Sequence, residues 1–442
     1  MTKSHLALHG YTLLFCLTVI ALNPFALSRG TIWTQPKILC VAIVVIVHIL
    51  TLCKDQQQLI PSKQWWLQFF AWVIFLFFGL ISTLLSPFPV VSLLGHAIAA
   101  DGLLYWFLIA GFVLTNSLFL HHYPHLFQYQ LRGILVGATL VALSMYPQLI
   151  DWKIDYTLHS GQVWEGTEHI LATAVYRDHQ PIGLYSHRGF AGFTLSIASV
   201  LALVAMKNRW LLPRTALPLV VLYTVTLSLA KVRGAMLGML AGWFWLCLIA
   251  PQSRRVSQIL ILLSLIGILS FGWATTERRV RNAEIYASTP FEVALKHFTS
   301  DRVYLWQKAW IGFLARPWFG WGFSGYSIAN ATQLCPEETN LVAVEDYYAY
   351  CRDVDGNVIE MKTESTKAHN LVLDQYVSLG LFGASSYFLL LGYYFLNLSR
   401  TSPAMLSASV TYIIYALTWY DSGQFSHVGW WIFSVNFLNR NV

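Results

Sequence analysis

Four short stretches of this 442-residue chain carry side chains that could bind an anion or move a proton. They are Ser186-His187-Arg188-Gly189-Phe190, Lys231-Val232-Arg233-Gly234-Ala235, Arg302 with Lys308, and His369-Asn370. A guanidinium group can hold two phosphate oxygens at once, and the glycine after Arg188 and after Arg233 would let a ligand approach the backbone. Several arginines meeting at one membrane surface would therefore suit a lipid-linked pyrophosphate. The alternative is that each arginine simply reaches to lipid headgroups.

His369 is the strongest candidate for acid–base chemistry. An unperturbed imidazole pKa of about 6.5 lets the ring take a proton from a hydroxyl group at neutral pH. A single loop histidine is more often an ordinary surface residue, so this role is a hypothesis. Asp101 and Asp421 raise a separate question, because an acid within a membrane span is a functional candidate by default. Asp101 could mark a proton or ion path, or it could pair with an arginine near the outer end of its span.

The elements that must position these residues are membrane helices. The chain is 56% hydrophobic and only 11% charged, whereas soluble domains carry about 25% charged residues. We predict an all-α polytopic membrane protein with about 12 transmembrane helices and a large loop between helices 9 and 10. The predicted spans are 11–28, 36–53, 66–85, 97–119, 131–147, 189–206, 215–230, 234–250, 257–274, 372–397, 404–420 and 426–438.

The distribution of Lys and Arg predicts the orientation of these spans. The short loops on one side carry most of the basic residues, which makes that side cytoplasmic and puts both termini there. The basic residues behind the net charge of +7 are scattered over these loops, so nucleic acid is not an expected partner. The first span lacks a small-residue cleavage site, so we interpret it as an uncleaved anchor.

The spans and loops divide the chain into five segments. We expect N-terminal transmembrane helices in 1–147, a first outer segment in 148–188, central transmembrane helices with the Arg-Gly motif in 189–274, a large outer loop in 275–371, and C-terminal transmembrane helices in 372–442. Both outer segments are rich in aromatic residues, which argues against disorder. Apolar spacing from Asp301 to Trp310 predicts a helix at the membrane surface, and Pro317-Trp318-Phe319-Gly320-Trp321-Gly322 predicts a tight turn after it.

Two of the six cysteines, Cys335 and Cys351, fall in the large outer loop. If that side is oxidising, we expect them to form a disulfide, with two free thiols as the alternative. The His121-His122-Tyr123-Pro124-His125 cluster is more often a solvated loop than a metal site, and the chain has no C-x-x-C pair. We therefore predict neither a metal nor a cofactor.

Taken in order, these motifs resemble the O-antigen ligase and polymerase superfamily of inner-membrane glycosyltransferases. The resemblance covers roughly residues 185–395. It rests on His187-Arg188-Gly189-Phe190-Ala191-Gly192, Leu227-Ser228-Leu229-Ala230-Lys231-Val232-Arg233-Gly234-Ala235, Arg302-Val303-Tyr304-Leu305-Trp306, Pro317-Trp318-Phe319-Gly320-Trp321-Gly322, His369-Asn370-Leu371-Val372-Leu373 and Gly380-Leu381-Phe382-Gly383. Lys231-Val232 replaces the usual serine pairing before Arg233, and Ser378 stands where the family often has an acid.

The resemblance implies transfer of a glycan from a polyprenyl diphosphate carrier to an acceptor hydroxyl on the periplasmic face, without a metal. Arg188, Arg233 and Arg302 would hold the diphosphate, with Lys231 and Asn370 as further contacts to the substrate. His369 would orient or deprotonate the acceptor. The expected partners are the lipid-linked donor, a glycan, lipid or protein acceptor, and membrane lipids of the inner membrane.

Several functions are compatible with these residues. An O-antigen ligase is the preferred interpretation, and a repeat-unit polymerase or a protein O-oligosaccharyltransferase would use nearly the same site. A secondary transporter of a small anion such as bicarbonate is the alternative from another class. Transporters tend to show repeat symmetry and broken spans near the bilayer midplane, whereas here the polar residues gather at one face. A purely structural membrane protein is the least favoured function.

Overall fold

The fold is known from a computed structural model. It describes residues 3–26, 28–54, 61–149, 180–249, 302–363 and 365–435, together with 162–163, 168–169, 175–176, 262, 267, 269 and 299. Apart from residues 262, 267, 269 and 299, the predicted span 257–274 and the first part of the predicted outer loop (275–301) lie outside the described residues, as does most of segment 148–188.

The described part of the chain is mostly helical, with fourteen helices. They are α1 (Lys3–Ile20), α2 (Gln35–Lys54), α3 (Lys63–Leu84), α4 (Pro89–Leu94), α5 (Leu103–His122), α6 (Phe127–Leu149), α7 (Arg188–Lys207), α8 (Pro213–Leu229), α9 (Arg233–Ile249), α10 (Arg302–Ala315), α11 (Gly325–Leu334), α12 (Leu371–Thr401), α13 (Pro403–Leu417) and α14 (Ser426–Ser434). A π-helical turn, Gly30–Thr34, leads into α2, and a 3₁₀ turn, Pro124–Leu126, leads into α6.

Six helical segments are long and apolar enough to cross a bilayer, as judged by length and composition over the described residues. They are Gly30–Lys54, Lys63–Leu84, Leu103–His122, Pro124–Leu149, Arg188–Lys207 and Leu371–Thr401. Leu8–Ile20 and helices α8, α9 and α13 are apolar but shorter, and α14 has only nine residues. The helical, multi-pass character is confirmed, while the number of twelve spans stays a prediction.

Helix α7 is the centre of the bundle. Its apolar window is completely buried, compared with 28% for Gly30–Lys54 and 39% for α3. It packs against α6, α8, α9 and α13. On α3, by contrast, Phe70, Phe77 and other large apolar side chains are exposed, as expected for contact with lipid. Because α7 begins at Arg188, the first Arg-Gly motif is anchored to the most buried helix.

Helix α12 is interrupted at Gly380, whose φ of 63° and ψ of −168° lie far from helical values. The predicted turn at 317–322 fits into this break, and Gly320 and Gly322 in it also have positive φ. Four backbone hydrogen bonds join the turn to the broken helix. They run from Leu381 N to Pro317 O (2.7 Å), from Phe382 N to Trp318 O (3.3 Å), from Trp321 N to Val377 O (3.1 Å) and from Gly322 N to Ser378 O (2.8 Å). The groups released by the break are therefore satisfied within the protein, as a membrane environment requires.

The described residues of the predicted outer loop (275–371) fold into helices and a small sheet. The predicted amphipathic helix is α10, which buries Leu305, Ala309 and Gly312 and exposes Trp310 and Leu314. After α11, strands β5 (Asn340–Val344), β6 (Tyr348–Arg352) and β7 (Val358–Lys362) form an antiparallel sheet in the order β5-β6-β7. The prediction of an all-α chain did not foresee this sheet.

A disulfide joins Cys335, the residue after α11, to Cys351 in β6, with 5.7 Å between the Cα atoms. Four two-residue strands form two further antiparallel pairs earlier in the chain: β1 (Gln162–Val163) with β2 (Glu168–His169), and β3 (Val175–Tyr176) with β4 (Gln180–Pro181).

Candidate active site

The candidate site is built around the loop that follows α13. The rings of Trp419 and Tyr420 are stacked, with centroids 5.5 Å apart and an interplanar angle of 15°. The ring of His369 is nearly perpendicular to both rings, with its centroid 4.5 Å from that of Trp419 and 5.0 Å from that of Tyr420. The loop before α12 and the loop after α13 are thereby joined through aromatic contacts.

Trp419 also contacts two cationic or polar groups from other parts of the chain. The guanidinium carbon of Arg302 lies 4.9 Å from the centre of the Trp419 ring, which is within cation–π distance. Arg302 also donates from Nη1 to the carbonyl of Thr418. The ring of His187 lies 5.2 Å from Trp419. One buried tryptophan therefore brings together residues that are widely separated in sequence.

The two Arg-Gly motifs pack against the same loop. A Cβ on Gly189 would lie 2.6 Å from the Trp419 ring, and a Cβ on Gly234 would overlap Thr418 Oγ1. We expected these glycines to admit a ligand to the backbone; the structure shows that they admit the 418–419 loop instead. The close packing still places both Arg-Gly motifs at the 418–419 loop, and Trp419 in that loop contacts His369.

Further contacts join the motifs to each other. Arg188, at the start of α7, donates from Nη1 to the carbonyl of Ala230 at 3.3 Å, just before the second motif. Lys231 occupies the turn between α8 and α9 with a φ of 54°. The side chains of Arg188, Lys231, Arg233 and Arg302 are all partly exposed, so they keep surface from which to contact a ligand.

The hydrogen bonding of His187 determines its tautomer. The residue caps the N-terminus of α7, and its Nδ1 accepts a hydrogen bond from the N–H of Gly189 at 2.9 Å. A ring nitrogen that accepts such a bond carries no proton, so the neutral ring has its proton on Nε2. His187 therefore offers an N–H donor at the side of the ring away from the helix.

The electrostatic environment keeps both histidines neutral. Burial, followed by the positive charge of Arg302 and the neighbouring His187, holds the pKa of His369 well below its usual range. Burial, followed by Arg188, Arg29 and Arg302, lowers the pKa of His187 in the same way. At neutral pH His369 is thus an unprotonated imidazole in a positively charged setting, which also makes it a weaker base than a free histidine.

The segment that carries His369 is fixed on both sides. His369 itself has a φ of 53°, in the left-handed region. The preceding N–H, of Ala368, donates to Asp374 Oδ1 at 2.9 Å, and Asn370 Oδ1 accepts from the N–H groups of Val372 at 3.0 Å and Leu373 at 3.2 Å. Asn370 therefore caps α12, and its expected contact with substrate stays a prediction.

The other expected residues have different positions. Lys308 Nζ lies 4.4 Å from the centre of the Tyr304 ring on α10, and an action of Lys308 together with Arg302 stays a prediction. Asp101 lies before α5 in a non-helical segment, and it pairs with Lys367 where we considered an arginine. Asp421 is buried and accepts hydrogen bonds from Tyr387, Tyr412 and Ser426. Over the described residues, no cluster of three His, Cys, Asp or Glu side chains could hold a metal ion.

Sequence reasoning missed Trp419, Tyr420 and Arg29 as parts of the site. Arg29 donates from Nη2 to the carbonyl of Ser186 at 2.5 Å, and its charge contributes to the lowered pKa of His187. Trp419 and Tyr420 lie at the end of a predicted span, where aromatic residues are common at the membrane interface. Their local sequence therefore carried no signal that distinguished them from such interfacial residues.

Residues 218–388 match the family model Wzy_C, described as O-Antigen ligase. This confirms the resemblance to the O-antigen ligase-like superfamily over a segment that contains Lys231, Arg233, Arg302, His369 and Asn370. Arg188 and Trp419 lie outside the matched segment. No curated protein matches the chain.

Proposed function

We propose that this membrane protein, whose residues 218–388 match the O-antigen ligase family, transfers a glycan from a polyprenyl diphosphate carrier to an acceptor hydroxyl. Members of the family are membrane glycosyltransferases. We assign the transfer to the periplasmic face of the inner membrane, with both chain termini in the cytoplasm, because the basic residues concentrate in the loops of the opposite side.

The observation that carries the proposal is the convergence on the 418–420 loop. Arg188, Arg233, Arg302 and His369 come from four separate segments, and each is packed on that loop or beside a residue that is. Isolated arginines that only reached for headgroups would not need to lie at the loop that also contacts a partly exposed histidine. A set of fixed guanidinium groups next to a neutral imidazole suits a reaction with a diphosphate leaving group.

The proposed reaction is a single displacement at the anomeric carbon of the donor. The acceptor oxygen forms a bond to that carbon while the bond from carbon to the diphosphate oxygen breaks. Arg188, Arg233 and Arg302 stabilise the negative charge on the departing polyprenyl diphosphate. His369 orients the acceptor hydroxyl and takes its proton, and Lys231 and Asn370 are further candidates for contact with substrate. The donor already holds the activated bond, so the proposal includes no metal and no nucleotide.

Within the superfamily we favour the ligase type, which attaches a finished glycan to a lipid A-core sugar. A repeat-unit polymerase and a protein O-oligosaccharyltransferase remain alternatives, since each would use the same leaving group. The structure weakens the hypothesis of a transporter, because Asp101, the acid considered for an ion path, is bound to Lys367 and Ser324.

The test is a His369→Ala variant in a host that lacks its own copy of the gene, with envelope glycans separated on gels. Loss of long chains from lipid A-core, with lipid-linked glycan accumulating, would support ligation. Single repeats still attached to the core would indicate a polymerase. His125→Ala, a change to an exposed histidine in the turn before α6, is the matched control and should behave as wild type. Normal glycans with a well-expressed His369→Ala protein would rule out the proposed role of His369.

A further inference from the structure

A buried ion pair lies two residues before His369. Lys367 Nζ contacts Asp101 Oδ2, although the two residues are 266 positions apart. Lys367 is 3% exposed and Asp101 is 7% exposed. The other carboxylate oxygen of Asp101 accepts a hydrogen bond from Ser324 Oγ at 2.8 Å. Both oxygens of the acid are therefore used inside the protein.

The segment from Ser365 to Asn370 is held at nearly every residue. Ser365 Oγ donates to the carbonyl of Lys367 at 2.8 Å and accepts from its N–H at 3.2 Å. Asp374 binds the N–H of Ala368, and Asn370 caps the helix that follows. Between these anchors stands His369 in the left-handed region. Such a conformation is uncommon for residues other than glycine, and the bonds on either side of His369 hold the segment in place.

The Asp101 segment also binds the loop that carries Trp419. The carbonyl of Ala99 accepts from the N–H of Gly423 at 2.6 Å and from Ser422 Oγ at 3.3 Å. Residues 99–101 thus contact both halves of the candidate site. Ala99 is bound to the Trp419 loop, and Asp101 is bound to the His369 segment. A shift of this short bridge would change the distance between the two rings.

We propose that Asp101 and Lys367 are positioning residues that set His369 against Trp419. This inference rests on the proposed function, since it assigns a purpose to the placement of His369. A buried ion pair is often no more stabilising than well-packed apolar residues of similar size, so stability alone is a weak reason for this pair. A more specific reason is that the pair lies two residues before His369 and is linked through Ala99 to the loop that carries Trp419.

The test uses variants that remove the tether without leaving a buried charge alone. Asp101→Asn combined with Lys367→Met removes both charges, and Asn can still accept the bond from Ser324. Ser324→Ala is a milder variant that removes only that bond. Gln130→Met is the matched control, because Gln130 is a buried polar residue bonded to Tyr11, Asn116 and Trp431, away from the site. The purified proteins are compared by melting temperature, by amide hydrogen exchange over 365–370, and by kcat and KM for transfer.

We expect the double variant to fold and its Ala368 amide hydrogen to exchange at least about 10-fold faster than in wild type. We also expect kcat to fall at least about 10-fold with little change in KM. Ser324→Ala should show a smaller change in the same direction, while Gln130→Met alters only the melting temperature. Unchanged exchange over 365–370 in a folded double variant would overturn the positioning role. Faster exchange with unchanged kcat would show that Asp101 and Lys367 hold the segment but would contradict the catalytic role of His369. Failure of the positioning role and failure of the proposed function therefore give different results. If the double variant does not fold, Ser324→Ala decides by the same two readouts.

Discussion

The rings of His369 and Trp419 form a T-shaped pair, with 4.5 Å between the centroids and an angle of 82° between the planes. Arg302 lies over the same indole at 4.9 Å. Trp419 is only 7% exposed, so it acts as a support and not as a surface for substrate. A T-shaped pair of this kind defines both distance and direction, as the proposed role of His369 toward an acceptor hydroxyl requires.

Trp419→Ala should therefore impair transfer more than an equal loss of buried volume elsewhere. Removing a buried indole costs about 3–5 kcal/mol of stability, and here it also releases His369, His187 and Arg302. We expect kcat to fall by at least about 100-fold at a temperature where the variant is folded, as about 2.7 kcal/mol of lost transition-state stabilisation corresponds to that factor. Kinetics and thermal unfolding in detergent would measure both effects.

Trp106→Ala is the control for this experiment. Trp106 is also buried and packs against Phe75 and Phe323, outside the candidate site. It should lower the melting temperature to a similar extent but leave kcat within a few-fold of wild type. Equal losses of kcat in the two variants would show that Trp419 contributes only to stability.

The pH dependence of transfer should depend on Arg302. Because burial and the charge of Arg302 lower the pKa of His369, the imidazole stays neutral and able to accept a proton at pH values below the usual pKa of about 6.5. Arg302→Gln removes a positive charge, so the pKa of His369 rises and the acid limb of the kcat/KM profile moves to higher pH. The same variant also loses activity at all pH values through weaker binding of the diphosphate.

Lys308→Gln serves as the control, since this lysine is on the same helix but lies over Tyr304. Its acid limb should coincide with that of wild type. An acid limb that does not move in Arg302→Gln would mean that another group limits the rate.

The packing of Gly234 on Thr418 can be tested by a pair of changes. Gly234→Ala puts a methyl group where Thr418 Oγ1 stands, and overpacking of this kind costs about 1–3 kcal/mol. Thr418→Ala removes the overlapping oxygen, so the double variant should recover most of the activity that Gly234→Ala loses. A double variant no better than Gly234→Ala would show that the glycine serves a ligand and not the loop.

From the sequence, candidate residues for the site were easier to identify than the contacts that bring them together. Arg302, Arg233 and His369 stood out because cations and a histidine next to glycines and a helix start are unusual in an apolar chain. Trp419 could not be predicted, because its role depends on the approach of α7, α10 and α13, and an aromatic residue at a span end has an ordinary explanation. The same limit applies to Asp101, whose partner lies 266 residues away.

The fold likewise has features that the sequence predicts and features that it does not. Apolar periodicity was enough to find the long helices and the amphipathic α10. It could not reveal β5–β7, because residues 340–362 alternate only weakly and lie in a polar loop. The break in α12 was also hidden, since residues 371–401 form one apolar run whose only signals are Gly380 and the distant turn that fits beside it.

The disulfide gives a prediction for the outer loop. Replacing Cys335 and Cys351 with serine should cost about 3 kcal/mol for a closed loop of this length, and the loss should be concentrated in α11 and the sheet. We expect faster proteolysis within 335–363 and a lower melting temperature, with the membrane helices intact. Thiol labelling and mass measurement of the unfolded chain test whether the disulfide is present. Four cysteines should react before reduction and six after it, because Cys16, Cys40, Cys53 and Cys247 are free. Six reactive thiols without reductant would contradict the disulfide.

The broken helix offers the sharpest contrast between two glycines on one element. Gly380 has a positive φ and no space for a Cβ, which would lie 2.5 Å from the Phe319 nitrogen, whereas Gly392 has open space around it. Gly380→Ala must therefore strain the backbone or separate the 317–322 turn from α12, at a cost of about 1–3 kcal/mol or more. Gly392→Ala should be neutral or stabilising by up to about 1 kcal/mol, since alanine favours the helix. Because α12 begins at Leu371, two residues after His369, Gly380→Ala should also reduce transfer. Equal melting temperatures for the two variants would contradict the four backbone hydrogen bonds at the break.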